Sequence, residues 1–157
     1  MRSNAAAEAL KKKYGLGPHP EGGWFAEVWG SPSTVNGRSL AGSINFLLDG
    51  DDISHFHQLD CNEIWYFHEG CGIKLTMFLE GRREIHYMGS GTAGEAQIII
   101  PKGAVFAAEN TDPAGYSFIS CVTVPAFSYE GFRLVPRDEL LKEFPEYRDD
   151  ITRLSCL

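Results

Sequence analysis

Apolar and polar residues alternate along most of this chain with a period of two, which on an extended backbone puts successive side chains on opposite faces. Between residues 24 and 123 the alternating or short apolar runs are WFAEVW, LAGSINFLL, ISHFHQL, EIWYF, IKLTMFL, REIHYM, AQIII, VFAAE and YSFISCVTV. Gly, Asp, Asn or Pro stands in most of the gaps, and Asp49-Gly50, Glu69-Gly70 and Glu80-Gly81 read as turns. Many short strands with no long helical pattern between them predict a mainly β protein, an antiparallel sandwich or barrel rather than βαβ units.

The ends differ. The first sixteen residues read as a short surface helix, followed by a Pro/Gly-rich coil, GLGPHPEGG, that cannot continue it. In the tail, Leu140, Leu141 and Phe144 lie at helical spacing and Pro145 breaks the segment into two short helices. These are expected to cap the barrel over about 136–154. No repeat, low-complexity tract or linker interrupts the 157 residues, so a single domain over 1–157 is expected, with its barrel core at about 24–124. A chain of this length buries roughly two-thirds of its unfolded surface, enough for a core without covalent staples.

Charge and cysteines narrow the setting. A formal net charge of -7 and a pI near 5.2 argue against a nucleic-acid partner, whose phosphates must be neutralised by Lys and Arg. No apolar run approaches the length of a membrane helix, and the N-terminus has no apolar stretch of signal-peptide length. Cys61, Cys71, Cys121 and Cys156 form no CxxC pair. Reduced thiols in a cytoplasmic protein are the expectation, with no membrane partner.

The chemistry concentrates in SHFHQLDCNEIWYFHEG. His55 and His57 are two apart, so on a regular strand both imidazoles share a face, and Glu63 begins the next strand, where a hairpin returns its carboxylate toward them. Two imidazoles and a carboxylate suit a divalent metal, Zn, Ni, Mn or Fe, with positions left open for substrate. The plainer account has one histidine packed, the other at the barrel mouth and Glu63 ion-paired. Trp65 and Phe67 share the parity of Glu63 and would form an apolar wall beside it or simply core, while Tyr66 would face the other way. Glu21 and His19, in PHPEGGWF, either close the pocket or lie in a coil packed on the barrel. Gln97 either reaches a ligand or caps an edge; His68 and His86 carry little weight, with His86 read as solvated or at an interface. Cys121 reads as a small buried hydrophobe.

At this point the sequence resembles the cupin superfamily. The first cupin motif is matched by Gly50, His55, His57, Glu63 and Gly70, and the second by Gly94, Pro101, Gly103 and Asn110. Phe106 stands where the second motif has a metal-binding histidine, and phenylalanine cannot coordinate a metal. PHPEGGWF, SHFHQLDCNEIWYFHEG, the PxG before VFAAE, and RDELLKEFPEY together resemble a small single-domain cupin family of unknown function (cupin-five type) over about 14–154. The resemblance implies a double-stranded β-helix, or jelly-roll barrel, with short helices at both ends, like the sugar-nucleotide 3,5-epimerases and commonly a homodimer.

Three functions follow as expectations for a small-molecule-binding cupin. In an isomerase or epimerase acting on a sugar-like or other polar carbonyl compound without a redox cofactor, His57 or His55 is the base, Glu63 orients it or supplies a proton, and Tyr66 donates a hydrogen bond if it faces the pocket. His55, Trp65, Phe67, Gln97, Phe106 and Glu21 would bind the ligand. In a metal-dependent, dioxygenase-like cupin, His55, His57 and Glu63 are the metal ligands. A non-enzymatic ligand-binding module is the third.

Overall fold

The computed structural model describes residues 4–157. Helix α1 (Ala5–Tyr14) begins at Asn4, whose side chain accepts the Ala6 N–H at 2.9 Å, and ends at Gly15 in the left-handed conformation. Strands β1 (Gly17–Pro18) and β2 (Trp24–Gly30) follow, then a small hairpin of β3 (Thr34–Val35) and β4 (Arg38–Ser39). The body of the fold is β5 (Gly42–Asp49), β6 (Ile53–Leu59), β7 (Asn62–Gly70), β8 (Ile73–Leu79), β9 (Arg82–Met88), β10 (Gln97–Ile100), β11 (Val105–Asn110), β12 (Tyr116–Val124) and β13 (Phe132–Leu134). Helices α2 (Arg137–Glu143) and α3 (Arg148–Leu154) close the chain, separated by a single 3-10 turn that starts at Pro145.

The strands form two antiparallel sheets, ordered β1-β2-β5-β12-β7-β10 and β13-β6-β11-β8-β9, folded against each other as a jelly roll. The period-two pattern is what allows this arrangement. On β5, Phe46 and Leu48 point between the sheets while Leu47 points out; on β12, Ile119 and Cys121 point in while Phe118 points out. Trp65, Leu75, Met77, Ile100 and Phe106 complete an interior cluster that excludes water.

The outward apolar residues are covered by the three helices. Helix α1 lies on Leu47 and Phe118, where the Tyr14 ring stacks on Phe118 at 5.1 Å. Helices α2 and α3 lie on the outside of the five-stranded sheet, Leu140, Phe144, Ile151 and Leu154 packing on Phe56, Phe78 and Ala107. The turn between β8 and β9 is the expected Glu80-Gly81 pair, both residues at positive φ, as a two-residue hairpin with matching twist requires. Of the second-motif residues, Asn110 is structural: its Nδ2 donates to the Leu48 and Gly50 carbonyls at 3.1 and 2.9 Å, tying the end of β11 to β5.

The C-terminal cover depends on one aromatic stack, Phe144 on Phe78 at 4.4 Å, with Phe144 only 5% exposed. Truncating Phe144 to Ala should cost about 3–5 kcal/mol. Urea unfolding should show it as a lower midpoint with an unchanged slope.

Candidate functional site

The site is built where β6 departs from regularity. Against β11, Phe106 pairs with His57 but Ala108 pairs with Ser54, so β6 has one residue too many between these two points. This bulge changes which side chains face inward. Ser54 and His57, three apart, both point into the barrel, whereas Ile53 and Phe56 pack outward under the C-terminal helices. The expectation that His55 and His57 share a face rests on an unbroken alternation, and the bulge breaks it.

Glu21 fits into this irregularity. Its carbonyl accepts the His55 backbone N–H at 2.8 Å and also lies 2.8 Å from His55 Nδ1. Its carboxylate accepts from Ser54 Oγ at 3.1 Å through Oε1 and meets His57 Nε2 at 2.9 Å through Oε2. The segment reaches so deep because of the two glycines that follow. Gly22 has φ +108, and a Cβ there would lie 1.9 Å from the Ile53 carbonyl oxygen; at Gly23 it would lie 2.6 Å from the Phe46 ring. PHPEGGWF is therefore a wall of the pocket rather than a surface coil.

Hydrogen-bond partners fix the protonation of the rings. His57 Nδ1 faces the His55 carbonyl at 2.7 Å and Nε2 faces the Glu21 carboxylate, so both nitrogens need a proton and the ring is an imidazolium. Burial opposes that charge, but Glu21 outweighs it and the His57 pKa is raised. Glu21 is likewise pushed up by burial and pulled further down by His57, ending below the ordinary carboxylate value. His19 is the opposite case: Nδ1 accepts the Glu21 N–H at 3.2 Å, leaving the proton on Nε2, and burial lowers its pKa.

Glu63 sits apart from this pair and is only 6% exposed. Trp65 Nε1 donates to its Oε1, and Cys121 stands beside it on the cavity wall. Burial, then the negative charge of Glu21, raise its pKa to about 7, against the opposing pull of His57. The Cys121 thiol is itself raised well above its ordinary value by burial and by Glu63, which keeps it un-ionised and matches its reading as a small hydrophobe.

These groups border a cavity of about 310 Å³ whose lining includes His19, Glu21, Glu63 and Cys121, with Phe25 and Phe127 as apolar walls. Trp29 and Tyr129, 54% and 60% exposed, also line it and mark its solvent side. His57 reaches the cavity only through Glu21, and Trp65 only through Glu63.

Several expected site residues stand elsewhere. Tyr66 is exposed on the outer face of β7, opposite in parity to Glu63, so it is no donor to this pocket. Gln97 pairs with Tyr66 on the edge strand β10 and is exposed, capping an edge. Phe67 packs against the interior cluster, and Phe106 lies in it with its ring 4.1 Å from that of His57. His68 bonds Ser120 Oγ at 2.7 Å, and His86 lies 3.3 Å from Glu84. Conversely, the contributions of β12 (Cys121 and Thr123) and of the 126–129 segment were not expected. Strand parity on YSFISCVTV carried the signal for the first; the second lies in a loop with no periodicity to read.

A divalent metal can be tested against the donors. Both His57 nitrogens are committed to oxygen acceptors, Glu63 Oε1 is bonded to Trp65, and Phe106 fills the place beside His57 where a further ligand would stand. Among the described residues no group of three His, Cys, Asp or Glu is placed to hold a metal ion. The expected set of His55, His57 and Glu63 does not come together as ligands, because the bulge turns His55 to the Glu21 carbonyl.

Two antiparallel sheets folded as a jelly roll around a cavity are an architecture that cupins share with other jelly-roll proteins. The chain belongs to the cupin superfamily, in the family described as Cupin superfamily (DUF985), which it matches over residues 8–135. No curated protein matches the sequence. Among solved structures, a Shewanella oneidensis protein is 30% identical, with 99% of this chain and 98% of that one covered and a TM-score of 0.90. A hypothetical protein from Leishmania major is 28% identical over 95% and 98% of the two chains, with a TM-score of 0.88. Oxalate decarboxylase from Bacillus subtilis, 19% identical, covers 87% of this chain but only 36% of its own, with a TM-score of 0.58, and shares the fold. Mn(II) centres are described in that enzyme. Among the described residues no helix is long and apolar enough to cross a membrane.

The Glu63 carboxyl gives the site a signature in stability. Its folded pKa lies above its unfolded one, so the fold favours the protonated form. This contribution is complete below the ordinary 4.5 and is lost as pH rises through about 7, a loss on the order of 3 kcal/mol. Glu63→Gln keeps an acceptor for Trp65 and removes the titration. Relative to the parent it should gain stability between about pH 5 and pH 8, measured by chemical denaturation across that range.

Proposed function

We propose that the cavity binds a small polar carbonyl compound and moves a proton on the carbon next to its carbonyl, the chemistry of an isomerase or epimerase, with Glu63 as the proton-transfer group. The observation that carries this reading is a buried carboxyl at the cavity wall whose pKa of about 7 lets it both take and return a proton near neutrality. In the forward step the C–H bond breaks, its proton passes to the Glu63 carboxylate, and the electron pair is left as an enolate. Transfer of the neighbouring hydroxyl proton to the enolate oxygen and return of the Glu63 proton to the neighbouring carbon completes isomerisation; a proton taken from solvent on the opposite face, with Glu63 releasing its own to solvent, completes epimerisation, and neither needs an oxidant or reductant.

The other groups support this chemistry from fixed positions. Trp65 holds the Glu63 carboxyl in place. The role of base expected for His57 passes to Glu63, because the imidazolium of His57 has no free lone pair. Its charge balances Glu21, so that the pocket carries a neutral pair rather than an isolated carboxylate beside Glu63. We also read the chain as a homodimer, a reading supported by Val28, Trp29, Val35 and Leu40, which are 43–59% exposed around β2 and the β3-β4 hairpin.

The test is hydrogen exchange in D₂O, followed by proton NMR on a panel of α-hydroxy ketones and aldoses. Exchange at the carbon next to the carbonyl should rise with pH and level off above about pH 7, since the base form of Glu63 is required. Glu63→Gln should reduce it by at least about a hundredfold. Exchange that persists in Glu63→Gln would rule out this role, and ligand binding without exchange would leave a binding module.

A further inference from the structure

The cavity's charge pattern restricts what it can hold. Among the described residues its lining includes three carboxyl groups, buried Glu21 and Glu63 and the exposed Glu27, and neither lysine nor arginine. The nearby guanidinium of Arg38 is committed: it donates to Asp60 at 2.8 and 3.0 Å and to the Ala126 carbonyl at 2.8 Å. The imidazolium of His57 is spent on Glu21. A phosphate or carboxylate brought into this space would lose its water with no uncommitted cation among the described residues to replace it, since the one buried cation, His57, already neutralises Glu21.

His19 supplies what an uncharged oxygen needs. The ring lines the cavity and is largely buried, with its centroid 4.6 Å from Phe25, 6.1 Å from Phe127 and 5.9 Å from Phe132. Its orientation is set by the turn that carries it, where His19 N–H donates to the Gly23 carbonyl and Gly22 N–H to the His19 carbonyl, both at 3.0 Å. Nδ1 is occupied by the Glu21 N–H at 3.2 Å, so the ring offers the ligand a single donor, Nε2–H. A cationic ligand would find carboxylates but would meet this donor with a donor of its own. An oxygen atom is the complementary partner.

We propose that His19 is the residue that binds the ligand's oxygen, and that the ligand is an uncharged hydroxy-carbonyl compound or polyol, free of phosphate and carboxylate. This rests on the reading of the cavity as a carbonyl-compound site and adds the ligand class and the residue that recognises it. Nε2–H donates to the carbonyl oxygen, where charge develops when the neighbouring proton leaves, and a neutral donor there stabilises the enolate without a proton of its own being lost. The flanking rings of Phe25 and Phe127 lie against the ligand's C–H faces.

Two measurements test this. Long-range nitrogen–proton NMR of labelled protein at neutral pH should show His19 as the neutral Nε2–H tautomer; an Nδ1–H tautomer or an imidazolium overturns the proposal. Binding is then read by NMR shift changes for matched probes: fructose and fructose 6-phosphate, erythrulose and erythrulose 4-phosphate. Only the uncharged member of a pair should perturb the cavity signals. His19→Phe, which fits among the surrounding rings and whose thermal midpoint checks its fold, should weaken binding roughly tenfold. His19→Gln, which carries an N–H to a similar reach, should restore most of it. Tighter binding of the phosphorylated members, no binding of either uncharged probe at millimolar concentration, or unchanged affinity in His19→Phe would each overturn the proposal. Glu63→Gln in the same assay separates the two ideas, because it should lose exchange while keeping binding.

Discussion

Everything distinctive about this barrel depends on one residue being held from two sides. The Glu21 main chain closes onto β6 at the His55 N–H, and its side chain closes onto Ser54 and His57. A bulge leaves a backbone N–H without its ladder partner, and a buried unpaired N–H costs about 1–3 kcal/mol. A carboxylate buried without a partner is costlier still. The β1-β2 turn and the β6 bulge each satisfy the other's need, so neither is stable in this form alone.

That mutual support explains how charged groups persist in so small an interior. The Glu21–His57 pair carries no net charge, and each member has its remaining polar atoms bonded: Glu21 to Ser54, His57 to the His55 carbonyl. With those two groups settled, Glu63 is left as the titratable group whose state is in balance near neutrality. The division resembles a general arrangement in which neighbouring ionisable groups are driven apart in pKa by their surroundings, one fixed and one free to exchange its proton.

Much of this could be read from the chain. Alternation located the nine strands of the barrel core, Pro145 divided the tail, and the shared parity of Glu63 and Trp65 anticipated that both face inward. What escaped was non-periodic. A bulge inserts one residue at a place no alternation announces, because SHFHQ reads as a regular strand until its partner is known. PHPEGGWF was weighed as a pocket wall, but the His19 tautomer was not legible, because it depends on a backbone N–H two residues away, a contact made by a turn rather than by a repeating pattern. Tyr66 shows the same rule from the other side, since alternation alone already placed it on the outer face.

The bulge also separates the spelling of a motif from its geometry. Written as letters, HxH names two histidines as an inward pair; in space, the inward pair on this strand is Ser54 and His57, and His55 has become a brace for the neighbouring turn. Two barrels can therefore carry the same letters and present different atoms to their contents. For this strand, the partner's register on β11 is the feature to compare between relatives, because whether the second inward group is an imidazole or a hydroxyl is decided there and nowhere in the motif itself.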